Sequence, residues 1–192
     1  MLKVLLIDNY DSFTYNLVQL LRECGVEHTL TIVPNDISPE NLPKHFDKVL
    51  ISPGPGLPTE SGKLMELIAF FAGNVPMLGV CLGHQALALH LGAKLKQLKN
   101  CMHGMKKLVY LTSDDETLFR GSKKSFPCGR YHSWVVDKEG LPEDLIVIAA
   151  DKEGEIMAIK HRYLSVFGVQ FHPESYMTQG GEKIIRNWLL QK

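Results

Sequence analysis

No stretch of this 192-residue sequence comes near the roughly 20 apolar residues that a membrane-spanning helix needs. The apolar start, Met1-Leu2-Lys3-Val4-Leu5-Leu6-Ile7, is too short for a secretion signal, lacks a small-residue cleavage site and runs straight into Asp8. Neither sign of charge is in excess: 21 Lys and Arg stand against 21 Asp and Glu, for a formal net charge of +0. A nucleic-acid partner is therefore not expected, because it calls for a concentrated basic face. Cysteine is scarce and scattered, at Cys24, Cys81, Cys101 and Cys128. That excludes a disulfide scaffold and fits a reduced, cytoplasmic protein. Cys81 with His84, Cys101 with His103 and Cys128 with His132 supply metal-ligand types, but without the tight paired spacing of a structural zinc site, so no metal is expected. Repeats, low-complexity tracts and linkers are also missing. With 45% hydrophobic residues, the chain reads as one globular domain over residues 1–192 with a full core.

What is present is a strand–helix alternation. Residues 3–9, 29–33, 47–52 and 75–80 are short apolar runs suited to buried strands. Between them, Leu17, Leu20, Leu21 and Cys24 make a helical stripe ended by Gly25, with Asp11 or Ser12 as its cap. Leu64, Leu67, Ile68 and Phe71 make another over residues 61–71, and residues 83–91 favour a third helix. This order predicts an α/β fold with a doubly wound, mostly parallel central sheet flanked by helices. The last third changes character. Residues 107–111, 145–150, 155–160 and 165–171 read as strands joined by short turns, one of them at Asp151-Lys152-Glu153-Gly154, which predicts an antiparallel extension. A final helix from about Gly181 places Ile184, Ile185, Trp188 and Leu189 on one face.

The chain is organised around Gly79-Val80-Cys81-Leu82-Gly83-His84-Gln85, where a strand meets a helix. Glycines two residues either side of Cys81 match the Gly-x-nucleophile-x-Gly elbow, with cysteine in the place of serine. Helix amides after the turn favour a thiolate there. The plainer alternative is a buried apolar cysteine in an α/β core. A nucleophile also needs a base, a group to orient it and an anion site. In Phe171-His172-Pro173-Glu174, the proline favours extended geometry, so Glu174 can reach back to the His172 imidazole as the acid of a triad does. The stiff loop Pro53-Gly54-Pro55-Gly56-Leu57-Pro58 offers few, well-placed amides, and Gly56 N–H with Leu82 N–H is the expected oxyanion pair. His84 is expected to be structural and His132 to pack near the site; His28, His45, His90 and His161 read as surface or filling positions.

Gly79 to Gln85, His172-Pro173-Glu174 and Ser52-Pro53-Gly54-Pro55-Gly56 together resemble the class I (triad) glutamine amidotransferases, over nearly the whole chain. Asp8-Asn9-Tyr10-Asp11-Ser12-Phe13-Thr14-Tyr15-Asn16 and Arg130-Tyr131-His132-Ser133 resemble the chorismate-serving branch of that family. That branch holds the small subunits of anthranilate synthase and of aminodeoxychorismate (para-aminobenzoate) synthase. The resemblance implies that Cys81 attacks L-glutamine, that His172 transfers protons and that Glu174 orients it. It implies that Gln85 meets the amino-acid end of the substrate, while Gly54, Pro55 and Gly56 with Ser133 and Trp134 complete the pocket. It implies ammonia delivery to a separate chorismate-binding synthase large subunit, which would hold the magnesium, and no cofactor in this chain. Three departures stand out. Met105 follows His103-Gly104 where lysine is usual, in a segment expected near the partner. Trp134 replaces leucine, and Tyr176-Met177 replaces a small aliphatic pair and is given no role. The alternatives are a stand-alone amide hydrolase using the same elbow, or a binding subunit that keeps the fold without the chemistry.

Overall fold

A computed structural model describes residues 1–43, 45–112 and 117–191. The first apolar run forms β1 (Leu2–Asp8). Its side chains alternate between two cores, Val4 and Leu6 in one and Leu5 and Ile7 in the other, as a strand covered on both faces requires. β2 (His28–Pro34), β3 (Lys48–Ile51), β4 (Met77–Val80), β5 (Leu95–Leu111), β6 (Ser125–Val136), β7 (Leu145–Ala150), β8 (Ile156–His161) and β9 (Val166–Val169) complete one sheet. Its order is β2-β1-β3-β4-β9-β8-β7-β5-β6. The five strands from β2 to β9 run parallel, and every pairing from β9 onward to β6 is antiparallel. The expected parallel sheet and its antiparallel extension are therefore one continuous structure.

Helices cover both faces. α1 (Thr14–Glu23) and α4 (Gly181–Leu190) pack against each other on one side, burying Leu17 and Leu21 beside Ile184, Ile185 and Trp188. α2 (Leu64–Phe71) and α3 (Leu82–His90) share the other, with Leu64, Leu67, Ile68 and Phe71 against Leu82, Ala86 and Leu87. Lys48, buried in β3, ties down the end of α4: its Nζ donates to the Gln191 carbonyl at 2.7 Å and lies 5.8 Å from the centre of the Trp188 ring. Among the described residues no helix is long and apolar enough to cross a membrane.

Three local expectations are corrected. β6 was not foreseen, because Pro127, Gly129 and the polar Arg130-Tyr131-His132-Ser133 run break the apolar alternation that marks a strand. β5 begins at Leu95 rather than near 107, since it pairs with β6 along a largely exposed polar ribbon rather than over the core. Neither Asp11 nor Ser12 caps α1, which starts after Phe13 with no side-chain cap. Asp11 instead makes a turn just before the helix, its Oδ1 accepting from Phe13 N at 2.7 Å and its carbonyl from Thr14 N at 3.1 Å. The turn at Asp151 is as expected, closed by Gly154 N donating to the Asp151 carbonyl at 3.0 Å with Gly154 at φ +78°.

The join between β4 and α3 is packed backbone against backbone. A Cβ at Gly79 would lie 2.3 Å from the Gly83 carbonyl, and one at Gly83 would lie 2.7 Å from the Ile51 carbonyl. On the next position of α3, His84 is wholly buried, and burial, only partly offset by the Gly168 backbone, pushes its pKa down to about 3. Gly79→Ala is expected to destabilise the chain by about 3 kcal/mol or more, read by urea unfolding, because backbone and not a flexible side chain would have to move. Acidification should also destabilise it. Unfolded His84 gains a proton near pH 6.5, whereas the folded form holds it off until about 3. Stability present above pH 6.5 is therefore lost as pH falls, by about 2 kcal/mol from this group between pH 7 and 5. His84→Leu should make that fall shallower without abolishing it, since His132 is also held down to about 3.

Candidate active site

Cys81 occupies the single residue between β4 and α3, with φ 52° and ψ −101°. A non-glycine residue there is strained by about 1–3 kcal/mol and persists only where its surroundings over-determine it. They do so here. Cys81 N donates to the Val169 carbonyl at 2.8 Å, its carbonyl accepts the first helical bond from Gln85 N at 3.1 Å, and the two elbow glycines let strand and helix touch. Leu82 opens α3, so its N–H has no acceptor within the helix and stays available beside the sulfur.

His172 follows β9. Its N donates to the Gly129 carbonyl at 3.0 Å, and its own carbonyl accepts from Thr178 Oγ1 at 2.6 Å. The ring lies against Phe13 and Tyr131, with centroids 5.2 and 4.8 Å away. Nδ1 meets Glu174 Oε1 at 2.7 Å, with both side chains sealed from solvent. Nε2 is buried without a hydrogen-bond partner. Burial opposes a charge on this ring, but the nearby Cys81 sulfur and then the Glu174 carboxylate outweigh it and hold the pKa well above 6.5. The sulfur and the carboxylate thus favour a proton on the imidazole. His84 offers no rival base, being neutral and enclosed by the core.

The Pro-Gly loop is clamped from beneath. Asn9 N donates to Ser52 Oγ at 2.9 Å, Asn9 Nδ2 to the Ser52 carbonyl at 2.8 Å, and Asn35 Nδ2 to Asn9 Oδ1 at 3.0 Å. Gly54 is pressed between Asn9 and Leu82, where a Cβ would come within 2.5 Å of each side chain. Gly56 takes φ +72°, a conformation that favours glycine. The loop is thereby seated on the first residue of α3, next to Cys81.

These parts surround a cavity of about 270 Å³, lined by Gly54, Pro55, Gly56, Cys81, Leu82, Gln85, Ser133 and Trp134. Every residue expected in the glutamine pocket is in this lining. His172 and Glu174 are not, although the His172 imidazole lies near the Cys81 sulfur. Gln97, Tyr131 and His132 also line it. Gln85 Nε2 donates to the Trp134 carbonyl at 2.8 Å and to Gln170 Oε1 at 3.1 Å. Gln97, Asn9, Asn35 and Gln170 were not singled out beforehand as site-forming residues. Gln170 stands two residues before His172, just after β9. The polar Asn9–Ser52–Asn35 clamp had no signal in the sequence, since it joins three separate strand ends. His103, Gly104 and Met105 fall at an irregularity of β5, with His103 6.0 Å from the Tyr131 ring. No group of three or more His, Cys, Asp or Glu side chains among the described residues is placed to hold a metal.

The family model described as "Glutamine amidotransferase class-I" matches residues 5–192. The aminodeoxychorismate/anthranilate synthase component 2 of Bacillus subtilis (strain 168) is 47% identical over 188 residues, 97% of this chain and 95% of that protein. The aminodeoxychorismate synthase component 2 of Escherichia coli (strain K12) is 42% identical over 193 residues, 97% and 98% of the two chains. Among solved structures, a candidate GMP synthase subunit from Thermoplasma acidophilum superposes with a TM-score of 0.85 at 30% identity, covering 98% of this chain and 92% of that one. With the family model spanning all but the first four residues and relatives aligned nearly end to end, this chain belongs to the class-I glutamine amidotransferases.

Proposed function

We propose that this chain is the glutaminase component of a chorismate-using synthase. It hydrolyses L-glutamine through a cysteinyl thioester and hands the ammonia to a separate chorismate-binding large subunit. The observation that carries this reading is the convergence of the Cys81 elbow, the Gly54–Gly56 loop and the Ser133–Trp134 strand on one cavity, with the Glu174-bound His172 imidazole acting on the sulfur. The Cys81 thiolate attacks the side-chain amide carbon of glutamine. As the C–S bond forms, charge moves to the amide oxygen, and the Leu82 and Gly56 amides are the pair assigned to stabilise it. His172 gives its proton to the nitrogen, and ammonia leaves with the C–N electron pair. A water molecule then loses a proton to His172 and attacks the thioester. Collapse of that second intermediate frees glutamate and returns the electron pair to sulfur. Glu174 keeps Nδ1 occupied, so that Nε2 does the proton transfer.

The chorismate branch is supported by 42 to 47% identity to relatives named for anthranilate and aminodeoxychorismate synthesis. The component 2 label of these relatives supports a heteromeric assembly in which the large subunit binds chorismate. Four free cysteines, three of them buried, support a reduced, cytoplasmic setting.

Cys81→Ala should reduce glutamine-dependent synthesis by the assembled enzyme roughly a thousandfold or more, while ammonia-dependent synthesis stays near wild type. Loss of both would make Cys81 a structural residue. The isolated chain should also hydrolyse glutamine more slowly than it does with a chorismate-binding synthase subunit, because contact with the partner can order the loop above Leu82. Equal turnover with and without the partner would refute that coupling.

A further inference from the structure

Gln170 is wholly buried just after β9, and its Nε2 donates to Cys81 Sγ at 3.7 Å. Which end of a buried amide faces a sulfur is set by its other partners. Gln170 Oε1 accepts from Gln85 Nε2 at 3.1 Å. The second Gln85 N–H goes to the Trp134 carbonyl at 2.8 Å, which can only accept. That carbonyl also takes a bond from His132 Nδ1 at 3.0 Å. His132 must carry its proton on Nδ1, because its Nε2 faces Arg130 Nε at 3.1 Å, and a guanidinium can only donate. Arg130 is fixed in turn by a buried ion pair, Nη1 to Asp151 Oδ2 at 2.6 Å, and the other Asp151 oxygen accepts from Glu153 N and Glu155 N. Every group along this line therefore has a single possible role. The two hydrogen bonds received by the Trp134 carbonyl hold its peptide in place, and the donor that ends the line points at the sulfur.

We propose that Gln170 is a catalytic residue whose Nε2 hydrogen-bonds to the Cys81 thiolate, and that Arg130 is a positioning residue that keeps this donor aimed through His132, the Trp134 carbonyl and Gln85. The inference rests on the glutaminase reading for the reaction it serves. In the resting enzyme the bond adds to the attraction of His172 for the sulfur anion. During deacylation the C–S bond breaks and its electron pair returns to sulfur, so the same N–H stabilises the leaving thiolate. The titratable groups around Cys81 are His172 and Glu174 after β9, His84 on α3 and Tyr131 and His132 on β6; the two histidines on α3 and β6 are neutral above about pH 3. Gln170 does not itself titrate, so a shift caused by its removal reports the lost bond.

The test uses the full chain and follows alkylation of Cys81 by iodoacetamide across pH, by peptide mass spectrometry so that exposed Cys101 does not interfere. Gln170→Met, close in shape but without the donor, should raise the pH midpoint of alkylation by about one unit. It should also lower kcat for glutamine about tenfold in the complex with the synthase subunit, with little change in KM. An unchanged midpoint and kcat would overturn the assignment of Gln170. Should that variant fail to fold, Gln170→Asn withdraws the amide from the sulfur and is read in the same way. Arg130→Lys keeps the charge opposite Asp151 but cannot hold Asp151 and His132 in one planar fork. It should move the midpoint in the same direction, by less; a lowered thermal stability with an unmoved midpoint would overturn the role of Arg130. Alkylation needs no glutamine turnover. A chain without glutaminase activity but with a Gln170-dependent midpoint would refute the proposed function and leave this inference standing.

Discussion

The close approach of β4 and α3 at Gly79 and Gly83 is the constraint on which the site depends. It forces the one intervening residue, Cys81, to φ 52°, where the chain turns from sheet to helix within a single position. That turn puts the sulfur at the carboxyl end of a central parallel strand and in front of a helix start, where ligands of doubly wound sheets bind. The cost of the strained residue is carried by ordinary packing on either side: four buried β4 residues behind it and an almost fully buried α3 in front. Neighbouring elements are then placed by the sheet order. β9 lies beside β4, so His172, just after β9, is delivered to the sulfur; β3 lies on the other side, so the loop after it reaches the same rim.

Three histidines near that rim illustrate how environment divides labour among identical side chains. His172 has a carboxylate at Nδ1 and the Cys81 sulfur nearby, and it holds its proton tightly. His84 is enclosed by core and the Gly168 backbone, and His132 is enclosed next to the Arg130 guanidinium; both are held neutral down to about pH 3. Of the three, only His172 favours the protonated form. The same comparison explains why the elbow residue His84, three positions after the nucleophile, is a packing residue despite its suggestive spacing.

Much of this was legible in the residues themselves. The apolar runs of β1, β3 and β4 and the helical stripes of α1, α2 and α4 follow directly from periodicity, and the elbow glycines announce a turn that no other residue fits. The pairing of His172 with Glu174 is local, and the proline between them makes it readable. β6 escaped because its pattern is broken by Pro127 and Gly129, and because its polar residues line a site instead of alternating over a core. The Asn9 clamp and the line from Arg130 to Gln170 escaped for a different reason. Asn9, Asn35 and Ser52 lie far apart in sequence, as do Gln85, Arg130 and Gln170, and only the strand order brings each set together. Side-chain polarity in such networks is decided by partners, which a linear sequence does not display.

The chain's membership of the class-I glutamine amidotransferases fits this geometry, and the claim at its centre is that the sulfur of Cys81 is the atom that glutamine meets. A glutamine-like chloroketone tests it most directly, with the labelled residue located by mass spectrometry. A single covalent adduct at Cys81 is expected, suppressed by excess glutamine and strongly slowed in His172→Ala. Labelling confined to exposed Cys101, or an intact protein with no adduct at Cys81, would contradict it.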